Sequence, residues 1–375
     1  MTSTIRLTIL VLGLLAGSTP SAFAYTYWVC GADDKIEWEG TPRMRASAAG
    51  FPDGHVRTAA LQAVVTRWNS SPADFQFNLT FNDGSAGLAN GQNEIWFTND
   101  ADRLGRAPAA MFHEDDCGDF GFGDGNSEYE ETDIIFACDR PWTSCAGYPF
   151  PRDWYFGTTR SSMNAYDSDG ERPFRTTAMH ELGHALGLGH EDGEYNIMGQ
   201  DWDHIHAYGG MATAYPGEDA SHGAVRLYGS SAVQREDVAV VHWRYTGGNA
   251  RGYSTHARTR ILHEFTDEEL GAVDPGQRIR AEFTFENNGS NPQASVTVHY
   301  YLSRDRLLGL GDVLLGESTL TLNRGNVMTT QARLVVPNTA AAGDHFIIAV
   351  VDPWNAIAEA FEDNNLTDSK RFVVN

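Results

Sequence analysis

Three histidines stand at fixed intervals within eleven residues, His180-Glu181-Leu182-Gly183-His184-Ala185-Leu186-Gly187-Leu188-Gly189-His190, and this stretch constrains the fold more than any other. It is rich in good helix formers and follows Pro173, so a helix is predicted over about Thr176 to Leu186. Residues four apart on a helix share a face, so His180 and His184 can offer their imidazoles to one metal ion. Gly187 falls where the helix must stop and where the backbone can take a positive φ without a Cβ clash. The turn can then bring His190 round as a third ligand. Three neutral imidazoles on Zn²⁺ leave a fourth tetrahedral position for water, the open geometry of a catalytic site, and Glu181 is placed to reach that water. Random placement of the five fixed residues in a chain with 13 histidines has a chance of roughly one in ten thousand, so coincidence is a poor account. The competing reading is a core helix whose histidines are hydrogen-bonded internally.

The chain's address follows from its start. Arg6, the apolar stretch Leu7 to Ala16, and Ala22-Phe23-Ala24 with small residues at two positions read as an export signal over residues 1–24. An apolar run of about ten residues falls short of the ~20 that span a bilayer, so no transmembrane anchor is expected. Cys30, Cys117, Cys138 and Cys145 are an even set, as expected for two disulfides in an oxidising compartment. Three pairings are open. The short spacer between Cys138 and Cys145 favours that pair, with Cys30 and Cys117 as the other. The absence of any C-x-x-C pair argues against a cysteine–zinc site.

Lys plus Arg number 27 against 50 Asp plus Glu, a net charge of -23 that excludes phosphate tracking, so nucleic acid is not an expected partner. Excess acid keeps an exported protein soluble and can also ligate hard cations. Asp115, Asp116, Asp119, Asp124, Glu128 and Asp133 are candidate Ca²⁺ ligands, with a hydrated acidic loop as the alternative.

A length of 375 residues suits two domains. Leu61, Val64, Val65 and Trp68 recur at helical spacing within residues 58–68. Strand-like runs follow at Phe75 to Phe81, Glu94 to Phe97 and Asp133 to Ala137. From about Asp237 the texture becomes alternating strands separated by Asn-Asn-Gly, Asn-Arg-Gly and proline-bearing turns. The expected division is a mixed α+β domain over 25–229, a linker at 230–236 and an all-β sandwich over 237–375.

Eight residues after His190 comes Met198, within Tyr195-Asn196-Ile197-Met198-Gly199. A long histidine motif followed by a methionine-bearing turn resembles the metzincin clan of zinc endopeptidases. The resemblance implies that Met198 lies beneath the zinc ligands as an apolar base. Within the clan the chain looks most like the matrixins, through Ile197-Met198, Thr132-Asp133-Ile134-Ile135-Phe136 as a metal-proximal strand, and Asp219 to Gly229 as a closing helix. The likeness covers roughly residues 34–229. It departs from the clan where Gln200 stands in place of a possible tyrosine ligand, and no second zinc is expected around His113. No propeptide with a zinc-blocking cysteine is recognisable; Cys30 is expected in a disulfide rather than on the metal. His204, His206, His222 and His242 are expected to be ordinary surface or core histidines.

The second half resembles the bacterial cell-adhesion-related (CARDB) domain, an immunoglobulin-like sandwich. The matching stretches are Pro275-Gly276, Glu286 to Gly289, Tyr301 to Asp305, Gly311-Asp312 and Val351 to Asn355, with Glu359, Glu362, Asn364 and Asn365. Most are turn residues that any sandwich needs, so they speak for fold rather than activity. The expectation is a secreted zinc endopeptidase acting on protein or peptide substrates with Glu181 as general base, its sandwich touching substrate or cell surface. A periplasmic enzyme remains open, and the rival is a secreted adhesion or binding protein whose zinc is structural or vestigial.

Overall fold

The computed structural model describes residues 25–30, 34–84, 86–116, 127–140, 145–157, 171–191, 197–199, 205–209, 211–244 and 258–375. The expected export signal, Cys117, Asp119, Asp124, Gln200 and His204 lie outside them. In the first half the elements are β1 (Val29–Cys30), β2 (Asp34–Glu37), β3 (Arg43–Ser47), α1 (Val56–Asn69), β4 (Asn78–Asp83), β5 (Asn93–Thr98), α2 (Ala101–Leu104), β6 (Ala109–Asp115) and β7 (Ser127–Ala137). There follow β8 (Asp153–Tyr155), β9 (Glu171–Pro173), α3 (Phe174–Ala185), β10 (Ile205–Tyr208), β11 (Met211–Ala214) and α4 (Gly217–Tyr228).

The principal sheet of this half runs β1-β2-β7-β5-β3-β4, with β6 paired to β7. β3 lies parallel to β4 and β5, and β5 parallel to β7, whereas β6 is antiparallel to β7. Parallel neighbours need a crossover, and α1 supplies the one between β3 and β4. Its apolar stripe faces inward as the spacing predicts: Leu61, Val64, Val65 and Trp68 are all buried. The Trp68 indole N–H donates to the Met179 carbonyl at 3.0 Å and ties α1 to α3. β7 is buried through Glu131 to Ala137, which fits its apolar run Ile134-Ile135-Phe136-Ala137.

Two elements differ from expectation. β4 starts at Asn78 rather than Phe75, because the Asn69 side chain at the end of α1 brackets Phe77. It accepts from the Phe77 N–H at 2.8 Å and donates to the Phe77 carbonyl at 2.9 Å, so Phe75 and Phe77 serve the core from an extended link. β7 begins at Ser127 rather than Asp133, because β6 pairs along it as far as Asp115 opposite Tyr129. Cys138 and Cys145 are bonded to each other, as expected, and Cys30 is also in a disulfide.

The second half is built of β12 (Val238–Val241), β13 (Ile261–His263), β14 (Ala272–Val273), β15 (Arg278–Asn287), β16 (Gln293–Ser303), β17 (Val313–Leu322), β18 (Val327–Val335), β19 (Gly343–Val351), β20 (Leu366–Asp368) and β21 (Phe372–Val374). One sheet runs β12-β15-β13 with β18 on β15, the other β14-β21-β19-β16-β17 with β20 on β19. Inward side chains of both, among them Phe283, Phe285, Tyr300, Ile347 and Phe372, form a single core. The main core of the first half draws on residues from Met44 to Ala224, that of the sandwich on residues from Val238 to Val374. The protein is mostly β-sheet with few helices, and no described helix is long and apolar enough to cross a membrane.

Candidate metal centre

Helix α3 is buried on every side from Thr176 to Ala185, and that burial takes in His180, Glu181 and His184. Polar groups in such a place cost stability unless something satisfies them. The Nε2 atoms of His180, His184 and His190 converge. His184 Nε2 lies 3.1 Å from each of the other two, and those two are 3.2 Å apart. The outer nitrogens fix this orientation. His180 Nδ1 faces the Ile197 carbonyl at 2.7 Å and His184 Nδ1 the Leu188 carbonyl at 2.7 Å. A carbonyl only accepts, so each Nδ1 carries the proton and each Nε2 is a bare acceptor turned toward the cluster. Burial first, then the imidazoles of His180 and His190, holds the His184 pKa well below the ordinary histidine value. The ring is neutral, as a ligand must be.

Acceptor nitrogens packed this closely repel one another unless a cation lies among them. Tetrahedral Zn²⁺ with imidazole bonds of ~2.0–2.1 Å sets its ligand nitrogens about 3.3 Å apart, and the observed spacing agrees within a few tenths. Among the described residues this trio is the one group of metal-ligating side chains close enough to share an ion. His190 is exposed, so the centre opens to solvent on that side. Glu181 follows His180 on α3, one turn before His184, and is buried.

The third ligand arrives through a closed turn. The Gly187 N–H donates to the His184 carbonyl at 2.9 Å and the Leu188 N–H to the Gly183 carbonyl at 3.0 Å, the two bonds of a Schellman ending. Gly187 has φ of 109°, the left-handed backbone that this ending needs. The first residues of the described chain lie across the turn. Trp28 N–H donates to the Gly187 carbonyl (3.1 Å), Gly189 N–H to the Thr26 carbonyl (2.9 Å), and the Thr26 hydroxyl to the His190 carbonyl (2.6 Å). From behind, the Trp38 indole donates to the Ala185 carbonyl at 2.8 Å and the Tyr228 hydroxyl to the Leu186 carbonyl at 2.6 Å. Met198 packs beneath the helix against Gly183.

The acidic candidates among the described residues are not all gathered in one place. Asp116 accepts from the Glu128 N–H at 2.8 Å, and Asp115 pairs with His113 at 2.9 Å. Asp133 stands opposite Phe112 whereas Asp115 stands opposite Tyr129, so about four residues of strand, roughly 13 Å, separate them. Asp133 instead sits in the core beside Glu131. Burial first, then the hydrogen bond to Glu131, pushes its pKa up to about 9, so it is protonated and donates. Burial disfavours the charge on Glu131, but hydrogen bonds from Asp133 and from the Asn90 and Gly91 N–H groups outweigh it and hold its pKa below the usual range. His206, His222 and His242 are buried. Sequence reasoning missed Thr26, Trp38 and Tyr228, whose contacts with the helix end span 164, 147 and 42 residues of chain and leave no local signal.

With this geometry in hand, comparison with known proteins bears on the sandwich. Residues 266–369 match the family model described as CARDB. This stretch is a CARDB domain. Among solved structures, a CARDB domain from Pyrococcus furiosus in complex with di-metal ions is 17% identical, covering 38% of this chain and 97% of that one, with a TM-score of 0.25. A solution structure from Geobacter metallireducens is 24% identical over 27% of this chain and 84% of its own, with a TM-score of 0.22. The alkylpurine DNA glycosylase AlkC of Pseudomonas fluorescens is 15% identical over 40% of this chain and 33% of its own, with a TM-score of 0.23. No curated protein matches the chain.

Proposed function

We propose that the protein is a secreted, zinc-dependent metalloendopeptidase of metzincin, matrixin-like type, with Zn²⁺ held by His180, His184 and His190. The observation that carries this reading is the convergence of the Nε2 atoms of His180, His184 and His190 at 3.1–3.2 Å, the first two on a helix that also carries a buried Glu181. Zn²⁺ bound there supplies Lewis acidity to a peptide carbonyl and to an attacking water.

The chain's own residues do the rest. Glu181 accepts the proton of the attacking water and returns it to the departing amine, so no covalent intermediate forms. The carbonyls of Ile197 and Leu188 keep the His180 and His184 imidazoles from turning, and Met198 packs on the helix between them at Gly183. β6 packs against α3 and, among the described residues, pairs only with β7, so an extended substrate can add to its other edge. Calcium at Asp115, Asp116 and Glu128 belongs to this proposal only as an accessory, and Asp133 is too distant to share it. Residues 1–24 are read as the export signal, with the periplasm as the alternative destination.

A second reading has one observation behind it: the family match falls on the CARDB domain, away from the histidines. On that reading the chain is a secreted adhesion or binding protein with a structural metal. A structural site has no use for Glu181, which favours the enzyme. The test is Glu181→Ala, expected to bind one equivalent of zinc and stay folded while hydrolysing no casein-like substrate. Wild type and variant equally inert across diverse proteins would transfer the case to the binding protein.

A further inference from the structure

Between the methionine turn and α4 runs the hairpin β10–β11. Its second strand packs on α3, and its first lies beside β20 of the sandwich. Three successive residues at the hairpin's tip are held from the sandwich side. The Thr367 hydroxyl donates to the Ala207 carbonyl at 2.7 Å, the Leu308 N–H to the Tyr208 hydroxyl at 2.6 Å, and the Gly209 N–H to Asp368 Oδ1 at 2.9 Å. Leu307 covers Gly209 so closely that a Cβ there would stand 2.5 Å from its Cδ2. Asp368 is itself buried, with Arg306 at 3.7 Å and Arg258 at 3.8 Å. At the far end of the hairpin, the Tyr215 hydroxyl donates to Glu286 Oε2 at 3.0 Å, and its ring packs on Ala239 and Val241.

A two-stranded hairpin is marginal by itself in water, so its conformation is set by what flanks it. Here one flank is the metal-bearing helix and the other is the CARDB domain. We infer that Thr367 and Asp368 are positioning residues of the peptidase, and that the sandwich fixes the hairpin which braces α3, making it an integral part of the catalytic unit. This rests on the peptidase reading above. Losing the clamp moves the hairpin while α3 keeps its own ties to Trp68, Ile197 and Leu188. The effect therefore falls on substrate binding before it falls on metal or chemistry.

Thr367→Val and Asp368→Asn in the full chain test this, with Thr367→Ser as the rescue that keeps the hydroxyl. Amide hydrogen exchange over 205–214 is expected to quicken by about tenfold in Thr367→Val, the consequence of one lost buried hydrogen bond. Zinc content and kcat on a peptide library are expected to stay near wild type while KM rises several-fold, and Thr367→Ser restores both readouts. Unchanged exchange, or faster exchange with unchanged KM, overturns the inference. A wild-type chain that cleaves no peptide sinks the peptidase reading instead, and the exchange measurement alone then decides whether the sandwich holds the hairpin. Should Asp368→Asn fail to fold, Leu307→Ala loosens the same clamp from outside the buried charge cluster.

Discussion

Gly183 and Met198 compete for one space: a Cβ built on Gly183 would stand 2.3 Å from the Met198 sulfur and 3.1 Å from its Cε. The glycine between the two helical histidines is therefore set by the methionine beneath. Gly183→Ala forces the thioether aside in a packed core, where such overpacking costs about 1–3 kcal/mol. Denaturant unfolding should show a loss of that size. In Gly183→Ala/Met198→Ala the two effects should fall short of their sum, because truncating Met198 removes the clash and the added methyl fills part of the cavity left behind. Strict additivity would mean that the two residues do not share the space.

The Nε2 atoms of His180, His184 and His190 face one another at 3.1–3.2 Å. On the proposed zinc site, removing the cation takes away the charge that holds these nitrogens together, so a strong chelator is expected to lower the melting temperature and stop any cleavage, with Zn²⁺ restoring both. His184→Ala should lower zinc affinity by orders of magnitude in competition with a chromophoric chelator. Activity indifferent to chelation would rule out the trio as the seat of catalysis.

How much of this was legible in the sequence depended on distance along the chain. The histidine helix and the stripe of α1 were readable because both depend on residues three and four apart. The glycine stop at 187 was readable because only one residue type takes its backbone cheaply. β6 was not readable. Ala-Ala-Met-Phe-His-Glu-Asp lacks clean alternation, and its strand character comes from pairing with β7. For the same reason neighbouring acids in the sequence did not predict neighbours in space: the ladder register sends Asp133 away from Asp115. The clamp on the hairpin joins residues 160 apart through single hydrogen bonds, which no local pattern announces.

The back of α3 offers a smaller test. Trp38→Phe removes the donor to the Ala185 carbonyl, and Tyr228→Phe the donor to Leu186. Each should cost about 1 kcal/mol, the net worth of one hydrogen bond, and somewhat more if the carbonyl stays buried without a partner. Both groups lock the turn that delivers His190, so zinc release to a chelator is expected to be faster in either variant than in wild type. Equal release rates with an unchanged melting temperature would show that the turn is held by its own Schellman bonds.

The last prediction concerns pH and the buried acids where the halves meet. Burial, working against the amides of Asn288 and Asn364, pushes the Asp237 pKa up to about 7. Burial likewise raises Glu286 to about 7, despite the Tyr215 hydroxyl, and Glu359 to about 8, despite the Val238 N–H and the Asn365 amide. Ordinary values for these groups are 3.8 and 4.5, so across the interval up to 7 or 8 the folded chain holds protons that the unfolded chain has lost. Stability conferred by these groups is therefore present at the acid end and is lost as pH rises from about 4 to about 8. In Glu286→Gln the amide stays neutral at every pH and its carbonyl can still accept from Tyr215. The gap in melting temperature between this variant and wild type should widen in the variant's favour from pH 5 to pH 8. A gap that stays constant across that range would mean Glu286 ionises as readily in the folded chain as in the unfolded one.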